Sequence, residues 1–366
     1  MSKKRICFIA QFPPPIHGLS KAVDTLYNSE LKNEFGFEKV DITNNKMFLR
    51  NLYTIWKSKA ELVYFTISQT KGGNIRDLLL LSLLKMRRKK CIVHLHGGYY
   101  RKLVDHDVGK LQSRLNYYAI NSLENVIVLS DSMKSIFTGM ITEDRILVVP
   151  NCIDNDLLMT ELEFEQKIRL VEDKQSLDVL YLSNFIKTKG YLEVLELAKI
   201  EQKRIDSGEK RKFHFHFAGK FFRSEEREFF LEFIDDNGLS NVITYHGEVK
   251  GTQKKELLKM CDIFTLITRY PNEGQPISII EAMGNGMTIV TTNHAGIPDL
   301  VKNGENGIVV TETEQQKLSE LYNRLYCNQE TMINNRTVIL ETFKESIYIN
   351  NFRSIFNRKL NHEHRN

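Results

Sequence analysis

The sequence predicts an α/β protein made of two doubly wound parallel-sheet domains. Three observations carry that expectation. Short β-rich apolar runs alternate with longer helical patterns along nearly the whole chain, the order expected of a parallel sheet covered on both faces. The length of 366 residues suits two domains of ordinary size. A charge-rich stretch, 156–175, has no glycine and no clear strand, and it separates two sets of runs.

In the first set, strands are expected at Ile6–Ala10, Leu62–Phe65, Ile92–His96, Val126–Leu129 and Ile146–Val149, with helices at Leu19–Leu31, Asn74–Lys85 and Leu111–Leu123. In the second set, strands are expected at Val179–Leu182, Phe213–Ala218, Val242–Tyr245, Ile263–Leu266, Thr288–Thr291 and Ile308–Val310. Helices are expected there at Tyr191–Arg204, Arg227–Asp236, Lys254–Cys261 and Ile277–Met283. The stretch 156–175 reads as the domain connection. The domains are expected at 1–160 and 161–344, with a last helix, about 345–366, packing back on the first. Open sheets of this kind take ligands outside the carboxyl ends of their strands, so a facing cleft is the expected site.

Composition narrows the class. Hydrophobic residues make up 42% and charged residues 27%, a globular balance. The five cysteines are widely spaced and form no CxxC pair, which suits a reducing compartment and no zinc site. No secretory leader is visible, and the longest apolar run, Leu78–Leu84, is far short of a membrane span. A cytoplasmic location is expected. The net charge of +5 is uneven: residues 1–156 hold 23 Lys/Arg against 15 Asp/Glu, the rest 28 against 31. A basic first half suggests an anionic partner, either nucleic acid or a membrane surface. Nucleic acid fits poorly, because the basic residues are spread out and no nucleic-acid module is recognisable.

The segment richest in chemistry is Thr268–Gly286. A strand ends before it and a helix starts near Pro276 or Ile277, where proline suits a first turn. The amides of Ile277 and Ser278 lie at that turn and could hold a phosphate. Glu273 falls in the preceding loop and Glu281 one to two turns into the helix. Carboxylates there can accept the vicinal hydroxyls of a ribose or hexose. A solvated helix residue and plain turn glycines are the other reading of the same letters.

This stretch resembles the E-x(7)-E signature of retaining glycosyltransferases of the GT-B fold, especially glycosyltransferase family four. The resemblance continues through Thr291–Val301, Asn303-Gly304 and Gly307, similar to a "GGIPE-(I/L)-V…NG…G" tail with Ala295 for a glycine and Asp299 for the glutamate. Val148–Asp154 is similar to "V-I-P-N-G-I-D", with Cys152 in place of glycine, and Tyr181–Gly190 resembles "Y-V-G-R-L…K-G". The resemblance is strong over 145–310 and weaker but collinear before it.

The resemblance implies two Rossmann-like GT-B domains and a set of roles. Lys189 would contact the donor diphosphate, and Glu281 the ribose hydroxyls. Glu273 would face the transferred sugar, and Gly274, Gln275, Pro276 and Ile277, with Ser278, would line the sugar and phosphate loop. Asn184 stands where the family has an arginine, so one cation is missing from the phosphate clamp; amides, Lys189 and Arg269 are left to compensate. Gly18, after Pro13-Pro14-Pro15-Ile16-His17, matches the glycine-rich loop near the donor phosphates; His17 reads equally as a turn residue. His94 and His96 share one strand face. His96, at its carboxyl end, would lie near the transferred sugar, and His94 reads as a buried structural residue.

Two D-x-D strings, Asp105/Asp107 and Asp154/Asp156, are assigned to no metal, and no cofactor is expected. The expected function is transfer of a hexose or N-acetylhexosamine from a nucleotide-diphosphate sugar, UDP before GDP, with retention. Family habit suggests a lipid-linked oligosaccharide acceptor in surface-polysaccharide synthesis. The stretch Leu78–Lys90 joins an apolar helix to Lys85, Arg87, Arg88, Lys89 and Lys90. It reads either as a buried helix with a solvated basic turn or as a peripheral contact with anionic lipid. Two rival functions are a GT-B nucleotide-sugar epimerase, against which the lysine, the glutamate pair and the glycine tail favour the transferase, and a non-catalytic glycosyltransferase-like partner, which Asn184 keeps open.

Overall fold

The structure, a computed structural model, describes residues 3–15, 17–311 and 315–361. Ile16 of the amino-terminal loop and the last residues of the expected final helix, 362–366, lie outside the described residues. The chain divides into two compact units. The first takes the described residues of Met1–Cys152, Pro271–Gln275 and Glu345–Asn366; the second takes Ile153–Tyr270 and Pro276–Lys344.

In the first unit the order is β1 (Arg5–Ala10), α1 (Gly18–Tyr27), β2 (Gly36–Asp41), α2 (Phe48–Lys57), β3 (Leu62–Thr66), α3 (Lys71–Met86), β4 (Lys90–His94), a single turn α4 (Tyr100–Lys102), α5 (Lys110–Asn121), β5 (Asn125–Val128) and β6 (Ile146–Val148). The sheet is parallel, in the order β2-β1-β3-β4-β5-β6. Its strands are apolar on both faces because both are covered. Along β1, Ile6, Phe8 and Ala10 join one core, while Cys7 and Ile9 join the other. The second core is closed by Ile55 of α2, Leu80, Leu81 and Leu84 of α3, and Ile120 of α5. The first is closed by Val23 and Leu26 of α1 and by the last helix of the chain, Glu345–Asn361, through Tyr348, Phe352, Ile355 and Phe356. Burying each such ring contributes about 1.5–3 kcal/mol. The edge strand β2 is absent from the expected set. Its outer position leaves Glu38, Lys39 and Asp41 partly or fully exposed, so it lacks the apolar run of its neighbours.

The second unit runs α6 (Glu161–Val171), β7 (Leu177–Leu182), α7 (Tyr191–Asp206), β8 (Phe213–Ala218), α8 (Ser224–Asp236), β9 (Ile243–Gly247), α9 (Gly251–Met260), β10 (Ile263–Leu266), α10 (Ile277–Gly284), β11 (Thr288–Thr292), β12 (Gly307–Val310), α11 (Gln315–Arg324) and α12 (Gln329–Thr342); the terminal helix Glu345–Asn361 is α13. Its parallel sheet has the order β12-β11-β10-β7-β8-β9. Strand order reverses between β7 and β10, which makes the turns after those strands the place where an open sheet takes a ligand.

The stretch 156–175 is not a bare connection. Most of it is α6, started by a capping box in which Thr160 accepts from the Glu163 amide and Glu163 from the Thr160 amide. Phe164 and Val171 of α6 pack on Met159 and Met332, and the units divide earlier, after Cys152.

Candidate functional site

In the second unit the reversal point brings two turns together. The turn Lys187–Lys189 follows β7 and ends at Gly190, whose φ of +85° belongs to the left-handed region. A Cβ there would also collide with the carbonyl oxygen of Ile267, just past β10. The Arg269 amide donates to Thr188 O at 2.6 Å, and the Lys189 ammonium lies 4.9 Å from the centre of the Tyr270 ring. His294 holds the same segment, its Nε2 2.8 Å from Tyr270 O, and Thr292 Oγ1 donates to Thr268 O. Lys189 therefore stands on a turn braced against the segment that follows β10.

Pro276 is the N-cap of α10, and the first intrahelical bonds run from the Ile279 and Ile280 amides to Pro276 O. The amides of Ile277 and Ser278 precede those bonds, the position from which helix amides hold anions. Glu281 is buried, with 4% of its side chain exposed, and its carboxylate grips the Lys254 ammonium of α9 at 2.7 and 2.6 Å. The solvated reading of Glu281 is excluded. Lys254 itself, 27 positions away, is a charged neighbour that sequence reasoning missed.

Asn184 is exposed, its carbonyl accepting from Tyr181 Oη at 2.9 Å and from the Ile186 amide. Arg269, expected to stand in for the missing arginine, pairs with Glu193 at 3.1 Å. Lys189 brings charge to this end, and Lys254 stands behind Glu281.

In the first unit the loop after β4 and the segment Pro271–Gln275 lock together through backbone. The Gly98 amide donates to Glu273 O at 2.6 Å. A Cβ on Gly97 would lie 2.6 Å from Asn272 O, and one on Gly274 would collide with His96 O. Glycine is required at both positions because the two segments touch. Glu273 is 7% exposed and Gln275 4%. Gln275 does not point to an open loop: its Oε1 accepts from the Asn151 amide at 2.8 Å, and its own carbonyl accepts from Asn151 Nδ2 at 2.9 Å. That pair explains the Pro150-Asn151 motif, a role the sequence alone did not reveal.

His94 is fully buried, its Nδ1 2.7 Å from Tyr64 Oη. Its ring centre lies 3.9 Å from that of His96. Burial holds both imidazoles neutral: His94 is pushed well below the usual range, and His96 down to about 3, by burial and then by the neighbouring His17. A neutral imidazole can still donate or accept a hydrogen bond. His17 caps α1, its Nδ1 accepting from the Ser20 amide, and Gly18 is the first residue of that helix. Its turn reading has a structural basis.

The acidic strings serve local structure. Asp105 pairs with Arg101, Asp107 accepts from Tyr99 Oη at 2.6 Å, and Asp154 caps the following turn. Among the described residues no group of three or more His, Cys, Asp or Glu side chains is placed to hold a metal ion. No helix among them is long and apolar enough to cross a membrane.

Residues 163–337 match the family described as Glycosyl transferases group 1. Over 90 residues the chain is 36% identical to the putative colanic acid biosynthesis glycosyltransferase WcaL of Salmonella typhimurium, a match spanning 24% of this chain and 22% of that protein. The uncharacterized glycosyltransferase MJ1069 of Methanocaldococcus jannaschii is 22% identical over 339 residues, covering 87% of this chain and 80% of its own. Among solved structures, Anabaena Alr3699/HepE in complex with UDP has a TM-score of 0.73 at 15% identity, covering 97% of this chain and 100% of that one. Its complex with UDP-glucose gives 0.71 at 16% identity, covering 97% and 99%. Residues 163–337 thus match the Glycosyl transferases group 1 model, in a chain whose fold is that of GT-B proteins.

Proposed function

We propose that the protein is a retaining glycosyltransferase that moves a hexose or N-acetylhexosamine from a UDP-sugar to an acceptor hydroxyl. The observation that carries this reading is the arrangement at the reversal point of the second sheet. Lys189 stands on a turn braced against the segment after β10, and α10 of the same unit carries early amides and a buried glutamate. A diphosphate needs the first two features and a ribose the third. A relative named for colanic acid biosynthesis, and a structural neighbour bound to UDP and UDP-glucose, support the same choice.

Lys189 and the amides of Ile277 and Ser278 neutralise the departing diphosphate. Glu281, oriented by Lys254, accepts the ribose hydroxyls. Glu273 and the neutral His96 meet the sugar, and Gly274 keeps Glu273 in place. The sugar–phosphate bond breaks and the acceptor oxygen bonds to the same carbon from the same face. The acceptor proton passes to the departing diphosphate oxygen, so the protein mainly positions and neutralises. The acceptor is a lipid-linked oligosaccharide of a surface polysaccharide, approached from the inner face of the cytoplasmic membrane. No metal takes part in this scheme.

The experiment is a panel of UDP- and GDP-sugars scored for release of free nucleotide, with and without EDTA. Release from one UDP-sugar, unchanged by EDTA, is the expected result. Loss with EDTA and rescue by manganese would return a metal to the mechanism. The exposed Asn184, with Arg269 committed to Glu193, favours one second reading, a donor-binding partner without turnover. UDP binding without release from any sugar nucleotide would establish it.

A further inference from the structure

The outer face of the first unit's α2–α3–α5 layer has a composition that folding does not explain. Nine of the fifteen large apolar side chains most exposed among the described residues lie on these three helices. On α2 they are Leu49, Tyr53 and Trp56, at spacings of four and seven. On α5 they are Leu111, Leu115 and Tyr118, at the same spacings. On α3 they are Ile75, Leu79 and Met86. Such spacing puts three side chains on one stripe of a helix. Each helix has its other apolar stripe in the core, through Ile55, Leu80, Leu84 and Ile120, so these stripes face away from the sheet.

The exposed charges of the three helices themselves have one sign. Exposed cations sit beside the apolar stripes: Arg50 and Lys57 on α2, Lys85 on α3, and Lys110 and Arg114 on α5. The only acidic residue in the three helices is Asp77. It is buried, accepting from the Ser68 amide at 2.6 Å and pairing with Arg76 at 2.8 Å.

The helices are joined at one end by cations over rings. Arg87, just past α3, lies 4.7 Å from the centre of the Trp56 ring, and Lys85 of α3 lies 3.7 Å from that of Tyr118. Tryptophan and tyrosine beside lysine and arginine are the side chains that settle at a membrane–water interface. The basic run read from sequence is split in the fold. Lys89 and Lys90 reach back to the carbonyls of Ala60 and Lys359, at 2.6 and 3.1 Å, leaving Arg87 and Arg88 outermost.

We propose that this three-helix face docks the protein on an anionic lipid surface, with its apolar stripes entering the headgroup layer and its cations on lipid phosphates. Helices of a parallel sheet run against the strands. Leu49, Ile75 and Leu111, in first or second turns, therefore lie toward the carboxyl edge of the sheet, the edge that carries His96 and Gly97. A docked first unit thus presents that edge close to the lipid. The inference stands on the surface chemistry alone, whatever the donor.

Trp56 is the only tryptophan of the chain and reports on the face directly. The full chain is mixed with vesicles of phosphatidylcholine, alone or with about one third phosphatidylglycerol, at physiological salt, a lipid mixture chosen to set the sign of the surface charge. Co-sedimentation only with the anionic vesicles is expected, with a blue shift of Trp56 emission and quenching by brominated acyl chains. Each cation near such a surface is worth roughly fivefold in affinity, so Arg50→Gln with Arg88→Gln and Arg114→Gln should weaken binding on the order of 100-fold. Leu79→Ser with Leu115→Ser should weaken it about tenfold or more through lost apolar burial. All five positions are exposed, so these variants are expected to fold, and UDP release in a vesicle-free assay should be unchanged.

Absence of binding to the anionic vesicles would overturn the proposal, as would equal binding by either variant. So would a wild-type dimer in analytical ultracentrifugation that the leucine variant dissociates, because the face would then belong to a second copy of the chain.

Discussion

Replacing Glu273 with glutamine is expected to cut turnover on the order of 100-fold or more while UDP affinity stays within about twofold, the size of a lost electrostatic contact made mainly in the transition state. Glutamine keeps the shape and removes the charge. As the diphosphate leaves, the sugar ring becomes electron-poor, and a carboxylate beside it is worth most at that moment. The backbone of Glu273 is fixed by the Gly98 amide, a bond the substitution does not touch, so the loop should keep its course. Turnover with the UDP-sugar found by the panel and calorimetry with UDP separate the two quantities. Equal losses in both would move Glu273 to the nucleotide end of the donor.

The second large effect is expected at Gly274. An added methyl group would run into the carbonyl oxygen of His96 and come within 3.1 Å of Leu129 Cδ1. The obstacle is backbone, so it cannot swing aside as a long side chain could. Gly274→Ala should displace the segment that carries Glu273, and misplacement of about 1 Å costs on the order of 100-fold in rate. The melting temperature should fall only a few degrees, because the sheets are untouched. As a control, Gly139→Ala is strained by its φ of +77° but meets no neighbour within 4 Å, the loop included, so turnover should persist. Full activity in Gly274→Ala would mean that the contact with His96 does not position the loop.

Much of this was legible in the sequence. Strands such as β1, β7 and β10 are apolar on both faces, and β-rich runs of four to six residues mark them plainly. The edge strand β2 was not legible, because an outer strand needs no second apolar face. Helix α6 was hidden by its charge, although Phe164, Ile168 and Val171 keep the spacing of one buried stripe. At the candidate site, the motifs gave the residue types and their order but not their partners. The grip of Lys254 on Glu281, the bond of Gln275 to Asn151 and the use of Arg269 by Glu193 each join positions 27 to 124 residues apart. Such pairings exist only once the sheets have formed. The apolar stripes on α2, α3 and α5 escaped for a related reason: sequence periodicity marks a stripe but does not say which face the core takes.

The central claim is that the turn bearing Lys189 and the buried Glu281 of α10 hold a nucleoside diphosphate. Calorimetric titration of UDP into the full chain, in EDTA, tests it most directly. One site is expected for the wild-type protein. Lys189→Ala should weaken it by about 1.5–3 kcal/mol, the value of a lost charge-assisted contact, which is roughly 10- to 150-fold in Kd. Glu281→Ala should weaken UDP while leaving inorganic pyrophosphate nearly unaffected, because its partner is the ribose. Unchanged UDP affinity in both variants, or no UDP binding by the wild-type protein, would contradict the account.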